Sequence, residues 1–192
     1  MTDELAMTET THSPSTKLRN LLFGSGAVLS LGLDQWTKVL ARTYLQPLGP
    51  WKSKVIVENY FDLRFSENTG VAFGMFQQLP GGRIWLTVVA LAALLLVGYY
   101  LVRSNPHQSR LHLALGLVAG GAVGNLVDRI AFGRVTDFIV WKVGPHEWPA
   151  FNIADAALVV GVALMALDML LDKRGQSATA SAPPGQASSG DR

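Results

Sequence analysis

Asp137 and Asp155 stand out in a largely apolar chain, one inside Gly133-Arg134-Val135-Thr136-Asp137-Phe138, the other closing Phe151-Asn152-Ile153-Ala154-Asp155. Both fall at the edges of segments that read as membrane helices. A charged Asp at the centre of a spanning helix costs about 2.5 to 3.5 kcal/mol even on the milder insertion scale. Acids placed there call for a partner, a wet cavity or a reaction. Two carboxylates in one partly desolvated site do not ionise together easily, so the pair holds a single proton. Such a pair hydrolyses amides. The ionised member takes a proton from the attacking water, the protonated member donates to the carbonyl oxygen, and the pair then delivers a proton to the leaving nitrogen.

Asn152 and Asp155 are three residues apart and share a helix face. A carboxylate in a first helical turn is favoured by roughly 0.3 to 1 kcal/mol, so capping alone is a competing explanation for Asp155. Capping does not explain Asp137. If the loop between the two acids folds back, both converge with Asn125 and Asn152 on one side of the bilayer. Gly121, Asn125 and Arg129 form an i, i+4 row that carries an amide and a guanidinium to the membrane boundary. Gly116, Gly120 and Gly124 form the adjacent row, a seam along which another helix approaches closely. Asp128 reads as interfacial charge ending its helix. Asp168 and Asp172, beside Lys173 and Arg174, read as solvated charge at the far end of the fourth helix.

Other chemistries are poorly supplied. His12, His107, His112 and His146 are scattered, no His-Glu-x-x-His or Gly-x-Ser-x-Gly motif occurs, and the chain has no cysteine. Ser66 and Lys38 could form a Ser-Lys hydrolase, but nothing local singles out that serine.

The elements that must position these residues follow from composition. Apolar residues make up 49% of the chain and charged ones 16%, which suits a small membrane protein; the net charge of +2 says little about partners. Ile84 to Val102 is uncharged and apolar, close to the roughly 20 residues that about 30 Å of hydrocarbon requires. Three further spans are expected over about residues 18–40, 111–127 and 152–171. The first is read as retained because Asp34-Gln35-Trp36 is not a small-residue cleavage site. Arg103 to Arg110 is a tight link that makes the second and third helices antiparallel neighbours. Within residues 43–83, Val55-Ile56-Val57 and Tyr60-Phe61-Asp62-Leu63-Arg64-Phe65 predict two strands turning at Glu58-Asn59. The loop from Arg129 to Ala150 carries Trp141 and Trp148, which favour the interface. Residues 1–16 and 175–192 read as disordered tails around a membrane domain of residues 17–174.

Asp34-Gln35-Trp36-Thr37-Lys38, Asn68-Thr69-Gly70-Val71-Ala72-Phe73, Gly120 through Arg129, Val135-Thr136-Asp137-Phe138 and Phe151 through Asp155 together resemble the ordered motifs of the lipoprotein signal peptidases, or signal peptidase II. The resemblance covers about Lys17 to Lys173. It implies an all-α integral membrane protein, with four transmembrane helices and a small extracytoplasmic antiparallel β-sheet on the membrane surface. It implies an aspartic endopeptidase that removes the signal peptide from prolipoproteins, cutting before a diacylglyceryl-modified cysteine. Asp137 and Asp155 would be the catalytic dyad. Asn68, Asn125, Arg129 and Asn152 would line the substrate site, and Asp34 and Lys38, within i, i+4 reach, would support it. No metal or other cofactor is expected, and water is the only co-substrate. Expected partners are the lipidated substrates and membrane lipids, with no nucleic acid, and the chain is expected to act as a monomer.

Two rivals explain less. A small ion- or proton-coupled carrier would place its acids at mid-span and favours internal symmetry, neither of which is visible. A non-enzymatic scaffold accounts for the glycine seam alone.

Orientation is a point of tension. With both termini cytoplasmic in a bacterial inner membrane, the inner flanks carry Lys17, Arg19, Arg103, Arg110, Lys173 and Arg174. The outer loops and helix ends carry Lys38, Arg42, Lys52, Lys54, Arg64, Arg83, Arg129, Arg134 and Lys142, against the positive-inside rule. The expectation of cytoplasmic termini rests on several outer basics sitting in a folded sheet or site, and on Lys173-Arg174 against a stretch from Gly144 to Ala150 with no Lys or Arg. An alkaline phosphatase fused after Gly175 should be inactive and a cytoplasmic fluorescent reporter there bright. The opposite pair of results would invert the topology.

Overall fold

The structure, a computed structural model, describes residues 14–69 and 82–180. Residues 1–13 of the expected 1–16 tail, residues 181–192 of the expected 175–192 tail, and the Gly70-Val71-Ala72-Phe73 end of the second motif lie outside them. Four α-helices are described: α1 (Pro14–Leu40), α2 (Gly82–Arg103), α3 (Ser109–Phe132) and α4 (Ile153–Ala180). Four strands form one antiparallel sheet in chain order: β1 (Ser53–Val57), β2 (Phe61–Asn68), β3 (Val135–Val143) and β4 (His146–Glu147).

Among the described residues, three helical segments are long and apolar enough to cross a bilayer: Ile84–Arg103, Ser109–Phe132 and Ile153–Leu171. Helix α1 is as long but is diluted by glycines, serines and the Asp34-Gln35-Lys38 cluster. Both outer helices run past their expected ends. Pro14 starts α1 early, since a proline in the first turn lacks an N–H that would be unpaired there anyway. The backbone of α4 continues through residues 175–180, with no proline before Pro183 to stop it.

The layering is that of a protein in an apolar solvent. Helix α2 buries Val97 but leaves Leu95, Leu96 and Val102 exposed. Helix α3 is the central one, mostly buried, and touches α1, α2 and α4. Its Leu115, Val118 and Ala119 pack with Val97, Phe23, Ala27 and Leu158. With little hydrophobic driving force between helices in lipid, close contact comes from small residues, and the seam read from sequence is here. A Cβ on Gly116 or Gly120 would collide with the α1 backbone at Phe23 or Ala27, and one on Gly124 would lie 2.5 Å from an Asp34 carboxylate oxygen.

The sheet is larger than expected. The hairpin between β1 and β2 turns at Glu58-Asn59, with Asn59 at φ 66°. The segment expected as a plain loop after α3 supplies β3 and β4, so Asp137 lies on a central strand and not at a helix edge. Val135 to Val143 is rich in β-branched residues, but its partner β2 is some seventy residues away and invisible to local pattern. A second cluster, Ala41, Leu45 and Phe138 with Leu63, Phe65 and Ile153, fastens the sheet to a widened turn, Ala41–Leu45, at the end of α1.

Candidate active site

Helix α3 stops at Gly133, whose left-handed φ of 74° lets its N–H reach the Arg129 carbonyl at 3.1 Å. The chain reverses directly into β3, setting Asp137 opposite Ser66 of β2. After the β3–β4 hairpin, Phe151 returns alongside. Its carbonyl accepts the N–H groups of Phe138 and Ile139 at 3.0 and 2.9 Å. The expected fold-back is thus a short backbone bridge, and it starts α4 beside Asp137.

Asn152 and Asp155 close that helix start reciprocally. The Asp155 N–H donates to Asn152 Oδ1 at 3.0 Å, and the Asn152 N–H donates to Asp155 Oδ2 at 3.2 Å, a capping box. Capping and chemistry therefore coexist at Asp155, because its other oxygen stays available to the site. Asn125 Nδ2 donates to that Oδ1 at 2.8 Å.

Asparagine amides frame both acids. Asn152 Nδ2 donates to Asp137 Oδ1 at 2.7 Å and to Asn125 Oδ1 at 3.1 Å, while Asn68 Nδ2 donates to Asp137 Oδ2 at 3.0 Å. The amide orientations are fixed by chemistry. Lys38 is donor-only and its Nζ lies 2.9 Å from Asn125 Oδ1, so Asn125 must turn its NH2 toward Asp155.

Beneath the amides is a buried ionic cluster. Lys38, fully buried, lies 2.8 Å from Asp34 and 3.6 Å from Asp128. Asp128 in turn pairs with Arg42 at 2.7 Å and accepts the Thr136 N–H at 2.8 Å. The second Asp34 oxygen accepts the Ala154 N–H at 2.9 Å, and Gln35 links Asp34 to the Gly124 carbonyl. Asp128 is therefore not the interfacial charge it resembled. It shares a stripe with Gly121, Gly124 and Asn125 at i, i+3, i+4 and i+7, the one sequence signal that points it inward. Arg42 and Thr136, joined at 3.0 Å, were not singled out by sequence. Asp168, expected to be solvated, is also buried, on α4 in the electrostatic reach of His112 and far from this site in sequence.

Asp137 is 2% exposed. Burial first, and then the negative charge of Asp155, push its pKa up to about 7, against the hydrogen bonds from Asn68 and Asn152 and the charge of Lys38. Near neutral pH Asp137 is thus about half protonated in the field of Asp155, the condition under which two carboxyl groups can share one proton. Arg129 donates to the Asn125 carbonyl at 3.2 Å and lies in the field of Asp155, Asp137 and Asp128. All eight residues singled out from sequence, Asp34, Lys38, Asn68, Asn125, Arg129, Asn152 and the two acids, therefore belong to one connected region. Lys38 is held as an ion-paired cation, which removes it as a base for Ser66.

The profile of the family described as signal peptidase (SPase) II matches residues 26–171. A lipoprotein signal peptidase of Xanthomonas oryzae pv. oryzae is 37% identical over 80% of this chain and 91% of its own length. One from Symbiobacterium thermophilum is 40% identical over 77% of this chain and 93% of its own. A solved bacterial membrane enzyme superposes with a TM-score of 0.68 at 25% identity, covering 90% of this chain and 95% of that one.

The ionic cluster predicts a specific energetic pattern. Lys38→Met leaves Asp34 buried without its cation and should destabilise the protein by about 3 to 5 kcal/mol in detergent unfolding. Adding Asp34→Leu should recover part of that loss. A double variant whose loss equals the sum of the single losses would contradict the coupling.

Proposed function

The chain belongs to the signal peptidase II family of peptidases, and from that premise we propose that Asp137 and Asp155 are its catalytic dyad, cleaving prolipoproteins before a diacylglyceryl-modified cysteine. The observation that carries this reading is Asp137 held near pKa 7 beside Asp155. Asp155, ionised, accepts a proton from water as the oxygen attacks the scissile carbonyl. Asp137, protonated, donates to the carbonyl oxygen; as the resulting diol collapses, Asp155 passes the proton it took from water to the departing nitrogen and Asp137 takes one back from a diol hydroxyl, leaving the pair one proton again after product release. Asn68 and Asn152 hold the Asp137 carboxyl in place, Asn125 holds Asp155, and Arg129 offers donors to the substrate backbone or headgroup at the boundary. Asp34 and Lys38 support the amides from below.

A cation carrier is not favoured. Asp137 is on a strand and Asp155 in a first helical turn, so neither acid stands at mid-span. A substrate that is itself a lipid-bearing membrane helix arrives laterally, with its scissile bond near the bilayer surface.

The proposal includes α1 as a fourth span, supported by its length of about 40 Å at 1.5 Å per residue and its glycine-mediated packing on α3. It places both termini in the cytoplasm of a bacterial inner membrane, with the sheet and site at the outer leaflet and the chain acting as a monomer. Lys38, Arg42, Arg64, Arg134 and Lys142, five of the outward basic residues, are ion-paired within the fold, which weakens the charge count against this orientation.

Asp137→Asn or Asp155→Asn should each abolish cleavage of a lipidated substrate by the purified, folded enzyme, because Asn relays no proton. In the same assay Arg129→Ala should lose about tenfold to a hundredfold, the loss expected for a hydrogen bond to a charged group. Near wild-type turnover by either Asn variant would remove the dyad.

A further inference from the structure

A cleft of about 730 Å3 opens where the turn leaving α1 meets the β1–β2 hairpin. Leu45, Leu48, Leu63 and Phe138 make its floor, and Tyr44 and Lys54 stand in its wall. Its size is that of a small-molecule site. It is not the site of the two acids: none of its lining residues is hydrogen-bonded to Asp137 or Asp155, and Phe138 leaves β3 on the side opposite Asp137.

An apolar cleft of this size open to water is unfavourable, and its surroundings say what fills it. Tyr44 is 68% and Trp51 85% exposed, and edge strand β1 leaves Val55, Ile56 and Val57 exposed. Aromatic and apolar side chains in that pattern belong at a bilayer interface. Lys54 lines the cleft and Lys52 lies two residues before it in the chain, and among the described residues neither makes an ion pair, whereas Arg64 and Lys142 of the same sheet, and Arg134 just before β3, do. An apolar slot with the unpaired ammonium of Lys54 in its lining, and a second unpaired lysine, Lys52, beside it in the chain, matches an acyl chain ending in a phosphate.

We propose that this cleft binds a resident anionic phospholipid, one acyl chain against Leu45, Leu48, Leu63 and Phe138 and its phosphate at Lys54 and Lys52. The bound lipid tethers the β1–β2 hairpin to the bilayer and so sets the height of β3, the strand that carries Asp137. A free phosphate does not satisfy the apolar walls, so the occupant is a lipid.

The full chain, purified in detergent, is titrated by native mass spectrometry with phosphatidylglycerol and with phosphatidylcholine of identical acyl chains. One phosphatidylglycerol should be retained over phosphatidylcholine by on the order of tenfold. Lys54→Glu should abolish the preference, Lys54→Arg should keep it, Leu48→Asp should weaken retention, and free glycerol phosphate should displace nothing. Equal retention of the two lipids, or indifference to Lys54→Glu, overturns the proposal. Displacement by glycerol phosphate would make it a headgroup site only. One-for-one displacement by a diacylglyceryl-modified peptide would make the cleft part of the substrate path, and either result also overturns a resident lipid. The readout needs no turnover, so it stands or falls separately from the dyad.

Discussion

The buried ammonium of Lys38 is the interaction on which the site depends. A cation without solvent is tolerable only with its charge matched and its donors used, and Asp34, Asp128 and the Asn125 oxygen do both. Its chemistry then propagates outward. Because Lys38 offers only donors, Asn125 must turn its NH2 to Asp155. Because Asp34 is held by Lys38, its other oxygen is positioned to cap α4 at Ala154. Because Asp128 is held by Lys38 and Arg42, it receives the Thr136 N–H and pins the residue before Asp137. One cation therefore orients the first turn of α4 and the start of β3, which carry the two acids.

That chain of contacts requires α1, α3 and α4 to meet at backbone distance. The glycines supply it, most directly Gly124, where a methyl group would push on the Asp34 carboxylate itself. Packing and chemistry are thus coupled at one residue. The sheet adds the second constraint: pairing of β2 with β3 brings Asn68 to Asp137 from a segment that the helices alone would not place there.

Much of this was legible in the sequence wherever the signal was local. The i, i+4 spacing of Asp34 and Lys38, the four-residue glycine period, Asn125 in an apolar helix, the Asn152/Asp155 spacing and the Glu58-Asn59 turn all appear in the structure as read. What was not legible is pairing across the chain. β3 reads as loop in the sequence because its partner is distant, and that reading sets Asp137 at a helix edge instead of on a strand. Asp128 and Arg42 look like boundary charges because their burial depends on which helix faces which. The roles proposed for the acids and amides go beyond both readings and rest on the electrostatics of Asp137.

The carboxyl carbon of Asp137, followed by 13C NMR across pH in detergent and assigned by its loss in Asp137→Asn, tests that point most directly. Its titration midpoint should lie near 7 in the native chain. The midpoint should fall in Asp155→Asn, where the neighbouring negative charge is gone and only burial still raises it. A midpoint in the ordinary carboxylate range near 4, unmoved by Asp155→Asn, would show an Asp137 that holds no proton at neutral pH and would contradict the single-proton dyad.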